Sequence, residues 1–249
     1  MKGFFLNADF KKGKHVLSKK RKPYLKKICR VARIEVWLVD GEYIRKNICE
    51  DFVNYDHHFH LPLIPRNEFW ISKDTAEDEV IFYIIRMFAE HRFISSGATY
   101  NEASGRAAAI ERRERGKSEL VKKIENSCGG KEKPLKKVYR CLIKKYGNGI
   151  AVWLVSGDLV RSLIYTDFAG GGHDRVYHFI PENQVWIDDD IRPEERKFII
   201  LHEIHERSLM SRGMNYPHAH KEATEVEDFF RHHPRNIGRA IYGEVRKQN

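Results

Sequence analysis

The sequence predicts an α+β fold made of two similar copies, each a small antiparallel sheet followed by a helical hairpin. The first observation is a repeat: "IEVWLVDGEYIR" from Ile34 recurs as "IAVWLVSGDLVR" from Ile150, and the offset of 116 residues holds without a gap through Glu111 and Glu227. The second is a change of period in each copy, from short apolar runs to helical spacing. Together they predict a tandem duplication.

The repeat divides the chain into four parts. We expect a basic N-terminal arm over residues 1–33, a first copy over 34–125, a linker over 126–134 and a second copy over 135–249. The linker, "NSCGGKEKP", is rich in glycine and charge, as connections between domains often are. The matched pairs include Trp37 with Trp153, Gly41 with Gly157, Trp70 with Trp186, Glu90 with Glu206, and Tyr100 with Tyr216.

Each copy opens with apolar segments that we expect to be strands. "VWLV" followed by Asp40-Gly41, or by Ser156-Gly157, and then by a second apolar segment is typical of a β-hairpin, because glycine accepts the positive φ of a tight turn. A turn at "IPRNE" or "IPENQ" then leads to a short strand, "FWI" or "VWI". These segments predict the antiparallel sheet.

Two helices follow in the second copy. Residues 193–212 begin with proline and two acids and stop before Gly213, which is the usual composition of helix ends. Asn215 is a suitable N-cap for a second helix over about 216–230. The two segments predict the helical hairpin.

The composition favours a folded, soluble protein, because 41% of the residues are hydrophobic and 32% are charged. The longest apolar runs fall far short of the ~20 residues that span a bilayer, and the N-terminus lacks the apolar core of a secretory signal. We therefore expect a cytoplasmic protein with no membrane partner. The four cysteines form no CxxC pair, which favours reduced thiols over a disulfide framework or a thiolate zinc site.

The segment "LHEIHERSLM", from Leu201 to Met210, carries the candidate site. His202 and His205 share an apolar helix face, and Glu206 lies one turn after His202, so that His202 and Glu206 can bind one ion. Burying even a neutral polar group without a partner costs roughly 2–7 kcal/mol. A metal ion or a dense hydrogen-bond network is therefore required.

The second helix offers a further ligand. Folding the hairpin about Gly213 puts Glu227 nearly level with His202, and His220 nearer to Leu209. His220 and Glu227 lie seven residues apart, or about 10.5 Å along a helix, which makes it awkward for both to bind one ion. We expect Glu227 to be the ligand, with His220 as a supporting residue or an alternative ligand.

The first copy serves as an internal control. It has Arg86 for His202, Met87 for Glu203, Ala89 for His205 and Ser104 for His220. Loss of this whole set favours a metal site in the second copy alone. The first copy nevertheless keeps Glu90 and Glu111, the counterparts of Glu206 and Glu227, so structural ion pairs are an open alternative for both glutamates.

The segment "NQVWIDDDIRPEERKFIILHEIHERSLM", followed by "KEATEVEDFF", resembles the core of compact zincin metallopeptidases, especially the ImmA/IrrE-like group. The resemblance covers roughly fifty residues. It implies that His202 is the first zinc ligand, Glu203 the general base, Glu206 the second ligand and Glu227 the third. The sequence departs from the family at Glu206, where the family has histidine, so that the ligand set becomes His-Glu-Glu unless His205 or His220 supplies the second imidazole.

Zinc chemistry would make this site a hydrolase for peptide bonds, with Glu203 taking a proton from water. A carboxylate ligand at position 206 weakens the Lewis acidity of the metal, so we expect slow or specialised hydrolysis. The ligand types also suit manganese or iron. His173, which follows three glycines, and Tyr216 are candidates to stabilise an oxyanion beside a mobile loop; the alternative is a tight strand connection with a structural His173.

Charge supplies a competing function. Residues 1–33 hold twelve lysines and arginines against one acid, and the chain has a net charge of +10 and a pI near 9.3. Such a segment can bind nucleic acid or a ribonucleoprotein through phosphates, without sequence-specific readout. The alternatives to the hydrolase are therefore a non-catalytic nucleic-acid-binding protein and an assembly protein with a structural metal or none.

Overall fold

The computed structural model describes residues 23–119, 122, 135–147 and 149–248, and within them the predicted α+β class is confirmed. The strands are β1 Tyr24–Val31, β2 Ile34–Val39, β3 Tyr55–His57, β4 Glu68–Ser72, β5 Tyr139–Lys145, β6 Ala151–Val155, β7 Gly171–His173 and β8 Gln184–Asp188. The helices are α1 Gly41–Asn47, α2 Val80–Ser95, α3 Tyr100–Arg115, α4 Leu135–Val138, α5 Gly157–Leu163, α6 Pro193–Ser211, α7 Tyr216–His232 and α8 Ile237–Arg246. In the part of the chain that is described, no helix has both the length and the apolar character needed to span a bilayer.

The chain separates into two compact units. Unit 1 takes the described residues within Met1–Lys73 and Val80–Ile110, and unit 2 takes those within Asp74–Glu79 and Glu111–Asn249. Unit 1 contains the sheet β1-β2-β4-β3, and unit 2 contains the sheet β5-β6-β8-β7.

Both sheets are mixed, so the prediction of antiparallel sheets is wrong. The central pairs β2–β4 and β6–β8 are parallel, whereas the outer pairs are antiparallel. Trp37 lies opposite Trp70 in one sheet, and Trp153 lies opposite Trp186 in the other. The repeat in the sequence is therefore accompanied by the same strand order and the same register.

The predicted hairpin after β2 and β6 is wrong for a related reason. Asp40 and Ser156 are N-caps: their side chains accept hydrogen bonds from the backbone N–H groups of Tyr43 and Leu159, at the start of α1 and α5. Asp and Ser are favoured both in turns and at helix N-caps, so the local sequence does not distinguish the two. Each helix begins the crossover that parallel strands require.

The true hairpins join β1 to β2 and β5 to β6. The first turns at Ala32, whose φ is 54°. β1 lies inside the segment predicted as the basic arm, so residues 24–31 belong to the first sheet. Residues 1–22 of that arm and the predicted linker over 126–134 lie outside the described residues.

The helical hairpin of unit 2 is confirmed and positions the candidate site. α6 packs on α7, Gly213 takes a φ of 95° in the turn, and the Asn215 side chain accepts a hydrogen bond from the His218 N–H. α8, which the sequence analysis did not predict, packs on the other side of α6. The buried core between this sheet and the helices includes Val152, Val185, Ile187, Leu201, Ile204 and Ile241.

Candidate metal centre

Three potential ligand atoms meet between α6 and α7. His220 Nδ1 lies 2.8 Å from Glu206 Oε2, His202 Nε2 lies 3.2 Å from His220 Nδ1, and His202 Nε2 lies 3.7 Å from Glu206 Oε2. Donors bound to tetrahedral zinc at ~2.0–2.2 Å are separated from one another by roughly 3.3 Å. The spacing and the donor types of these three side chains fit a divalent cation.

Glu227 lies behind His202 instead of beside the other two ligand atoms. Its Oε2 lies 2.9 Å from His202 Nδ1, while its Oε1 accepts hydrogen bonds of 2.9 and 2.7 Å from Arg231. Arg231 in turn donates to Glu195 over 2.6 Å. Carboxylates often hold a metal-binding histidine in this way, because a partner on one ring nitrogen directs the other nitrogen to the ion.

His173 is fully buried and holds the second oxygen of Glu206. Its Nδ1 accepts a hydrogen bond from the Arg175 N–H at 3.2 Å, so the proton belongs on Nε2, which lies 2.9 Å from Glu206 Oε1. In unit 1, His57 makes the same contact with Glu90 at 3.0 Å. This is the structural arrangement, present in both copies, that the sequence analysis kept as an alternative to an oxyanion role.

The glycines before His173 do not form a mobile loop, because Gly171 to His173 are strand β7, paired with β8. Gly171 lies directly against the helix that carries the site. A Cβ at this position would stand 2.9 Å from Ile199 Cγ2 and 3.1 Å from Glu203 Oε1. The absence of a side chain at Gly171 therefore leaves room for the Glu203 carboxylate.

Glu203 is half-buried, and among the described residues its carboxylate has no hydrogen-bond or ion-pair partner. One of its oxygens lies within 4.8 Å of ligand atoms of His173 and Glu206. Burial, together with the negative charge of Glu206, raises the pKa of Glu203 to about 8, although His202 acts in the opposite direction. Such a carboxylate is a strong base close to the candidate ligands.

The buried acids around His202 attract positive charge. Burial alone would lower the pKa of His202, but its contacts with Glu206 and Glu227 outweigh burial and raise the pKa to about 10. The pKa of Glu206 is held far below its usual range, because hydrogen bonds to His173, His202 and His220 outweigh the effect of burial. A proton or a metal ion on His202 balances these carboxylates.

Tyr216 lies beside His220, with the two ring centroids 5.5 Å apart. Burial and the nearby acids Glu206 and Glu203 raise the pKa of Tyr216 well above its usual value, so its hydroxyl stays a proton donor. Tyr177, which the sequence analysis missed, feels the charge of Glu203 as well. No motif in the sequence around Tyr177 indicates that its phenol lies near the site.

His205 does not join the ligand set. Its Nδ1 lies 3.0 Å from Glu244 Oε2 on α8, and the side chain is buried on that side of α6. Residues three apart on a helix share a broad face, but here the face is divided between two neighbouring helices. His205 therefore belongs to the packing of α6 against α8.

A second acidic group in unit 2, Asp188, Asp189 and Asp190, also brings ligand atoms within 4.8 Å of one another. Its charge is already compensated by Arg161, which donates to Asp188 over 2.6 Å and to Asp190 over 2.8 Å. The Asp188 group is therefore a weaker candidate for a cation site than the His202 group.

The side chains of the candidate site thus come together from α6, α7 and β7. The chain offers three candidate ligands, a carboxylate that fixes one of them, a histidine that fixes another, and a free carboxylate next to them. Comparison with models of known protein families, with curated proteins and with solved structures finds no match for this chain.

Proposed function

We propose that the chain is a tandem duplication whose second unit is a metal-dependent hydrolase of the compact zincin type, acting on a peptide bond. The observation that carries this proposal is the unpartnered carboxylate of Glu203 beside the group of His202, Glu206 and His220. In the Arg161 group, by contrast, the carboxylates of Asp188 and Asp190 are each paired with the guanidinium.

His202, Glu206 and His220 would hold the ion. Zinc suits this mixed set best, while manganese or iron also suits imidazole and carboxylate ligands. When bound, the metal supplies Lewis acidity toward a water molecule and a substrate carbonyl. The carboxylate of Glu206 donates negative charge to the ion, which favours slow or specialised hydrolysis over broad proteolysis.

Glu203 acts as the general base. Its carboxylate takes a proton from the attacking water and later delivers it to the leaving amine, so that the base is restored at the end of the reaction. Among the described residues, no hydrogen-bond donor competes for its oxygens.

Other side chains position these groups. Glu227 fixes the ring of His202, and His173 fixes the carboxylate of Glu206. Tyr216 is the candidate donor to the oxyanion that forms from the substrate carbonyl, because its phenol remains protonated and lies beside His220.

The test has two stages. Elemental mass spectrometry of protein purified without an affinity tag should find one equivalent of metal in the wild type and none in His202→Ala. Glu203→Gln should keep the metal but lower the hydrolysis of a peptide library by about 10²- to 10⁴-fold, as expected when a general base is removed. Glu222→Gln, an exposed change on α7, is the matched control and should leave activity unchanged.

Either of two results would contradict the proposal. The first is wild-type protein that binds no metal even after reconstitution with zinc. The second is hydrolysis that Glu203→Gln leaves intact. Metal without any hydrolysis would favour the assembly protein with a structural ion.

The non-catalytic alternative, binding of nucleic acid, is supported by exposed basic side chains on the edge strand β1, including Lys26, Lys27 and Arg30. Binding through phosphates weakens steeply as salt rises. Affinity for RNA that falls in this way, and that is lost when Lys26, Lys27 and Arg30 are replaced by alanine, would support this alternative.

A further inference from the structure

Unit 1 keeps the frame of the metal centre with different side chains. At an offset of 116 residues, the four buried residues His57, Arg86, Glu90 and Ser104 correspond to His173, His202, Glu206 and His220.

The contact between a buried histidine and a buried glutamate is common to both units. His57 accepts the Phe59 N–H on Nδ1 and contacts Glu90 Oε2 through Nε2 at 3.0 Å, as His173 does with Glu206. Glu90 and Glu206 are therefore held in the same way, with one carboxylate oxygen left for another partner.

The two units differ in the group that faces the second oxygen of this glutamate. Arg86 Nε donates to Glu90 Oε1 over 2.7 Å, and Arg86 Nη2 donates to Ser104 Oγ over 2.9 Å. The guanidinium thus links positions 90 and 104, whose counterparts in unit 2 are Glu206 and His220. It satisfies the oxygen of Glu90 that corresponds to the metal-facing oxygen of Glu206.

We propose that unit 1 contains a latent metal site in which the Arg86 guanidinium takes the place of the ion. The inference rests on the proposed metal centre of unit 2. A buried carboxylate needs a cation: unit 2 uses a divalent metal held by two imidazoles, whereas unit 1 uses an internal guanidinium and a hydroxyl. Unit 1 therefore requires no metal.

The surroundings of the latent site fit a role without catalysis. Met87 replaces the general base Glu203, and Tyr55 replaces Gly171. The ring of Tyr55 stacks on that of Tyr83 at a centroid distance of 4.2 Å. Where unit 2 has the carboxylate of Glu203, unit 1 thus has the thioether of Met87. Where unit 2 has Gly171, unit 1 has the packed ring of Tyr55.

The test restores the ligands in the full-length chain. Arg86→His combined with Ser104→His supplies the two imidazoles, and the protein should then hold two equivalents of zinc where the wild type holds one. Arg86→Met combined with Ser104→Ala is the matched control: it removes the guanidinium without supplying ligands and should still hold one equivalent.

The two proposals fail in different ways. The zinc content of the wild type tests the metal centre of unit 2, and the difference between the histidine pair and the wild type tests the latent site. A folded histidine pair, verified by circular dichroism, that still holds one equivalent would overturn the inference and leave the hydrolase proposal standing.

The reverse exchange provides a second test if the histidine pair does not fold. His202→Arg combined with His220→Ser places the unit 1 residues in unit 2. This variant should bind no zinc, and its melting temperature should be unaffected by a chelator and higher than that of His202→Ala with His220→Ala. A melting temperature no higher than that of the alanine pair would contradict the inference.

Discussion

The two nitrogens of His202 explain how a single side chain can join a structural network to the proposed metal centre. Nδ1 lies 2.9 Å from Glu227, and Nε2 lies between Glu206 and His220. Because the Glu227 contact calls for a proton on Nδ1, the lone pair of Nε2 is the one available for a ligand. Glu227 thus contributes to the site through the ring it orients.

Helical spacing alone brought His202, Glu206 and Glu227 together in the sequence analysis. It did not show that His220, and not Glu227, lies beside Nε2 of His202. That outcome depends on side-chain rotamers and on which ring nitrogen each partner takes, and residue spacing contains neither. Arg231 was missed because an arginine four residues after a glutamate on a helix is common on exposed surfaces.

Gly171→Ala is a residue-scale test of the base. The added Cβ would stand 3.1 Å from Glu203 Oε1, so the carboxylate must shift. We expect kcat to fall by up to roughly 10-fold, because a displacement of about 1 Å costs about 100-fold and this contact requires a shift of only a few tenths of an ångström. Peptide hydrolysis and zinc content should be measured together, and the zinc content should be unchanged.

The matched control is Gly105→Ala in α3, where an added Cβ meets no atom within 4 Å. This change should stabilise the protein by about 0.5–1 kcal/mol, because alanine loses less backbone freedom than glycine in a helix. Equal loss of kcat in both variants would argue against a special role for Gly171.

At the scale of elements, the residue at which a helix begins determines the positions of the site residues along that helix. Asn215 caps α7, the helix that carries Tyr216, His220 and Glu227. The same kind of cap misled the prediction at Asp40 and Ser156, because a residue that can end a turn can also begin a helix. Whether such a residue ends a turn or begins a helix depends on which strands pair. Strand pairing in turn depends on residues that are distant in the sequence.

Asn215→Ala should lower the free energy of unfolding by about 1 kcal/mol, the usual effect of losing an N-cap. Asn215→Asp keeps an oxygen acceptor at the helix N-terminus and should retain most of the stability. Urea unfolding of the two variants and the wild type checks this. A loss of the same size in both variants would show that the cap is not the cause.

At the scale of the whole molecule, the α+β class could be predicted because it depends on hydrophobic spacing. The parallel pairing of β2 with β4 could not, since it depends on contacts between segments distant in the chain. β1 was assigned to the basic arm because of its lysines and arginine; half of its side chains are exposed on the sheet edge and none is fully buried. The sequence signal of an exposed edge strand resembles that of a charged tail.

Unit 2 also contains a buried ion-pair group that should give its stability a dependence on pH. Glu79 accepts hydrogen bonds from Arg115 and Arg161. Burial would raise the pKa of Glu79, but these partners outweigh it and lower the pKa from 4.5 to about 2. The ionised carboxylate of Glu79 therefore contributes its full stabilisation to the folded protein above pH 4.5, and this contribution is lost as the pH falls toward 2.

This loss amounts to about 3 kcal/mol for wild type, since one pKa unit corresponds to about 1.4 kcal/mol. Glu79→Gln should be less stable at neutral pH, and its stability should fall less between pH 4.5 and 2. Denaturant unfolding across this range measures the difference between the two proteins. Parallel curves would contradict the assignment.

The comparison of variants is needed because neighbouring acids act in the opposite direction. Burial raises the pKa of Asp158 to about 6 and, with the charge of Asp188, that of Asp190 to about 7. Groups with raised acid pKa values add stability as the pH falls through those values. Glu79 contributes to both shifts, so Glu79→Gln changes them as well. Well below pH 3.8 both aspartates are protonated in the folded and the unfolded protein, and there the difference between the two curves reports Glu79 alone.

The guanidinium of Arg86 has one property that a metal ion lacks: it is part of the chain and does not dissociate. When zinc becomes scarce, the hairpin of α6 and α7 would lose its ion, whereas the corresponding carboxylate of unit 1 would keep its partner. One half of the protein would then respond to the supply of metal in its surroundings while the other half stayed folded as before.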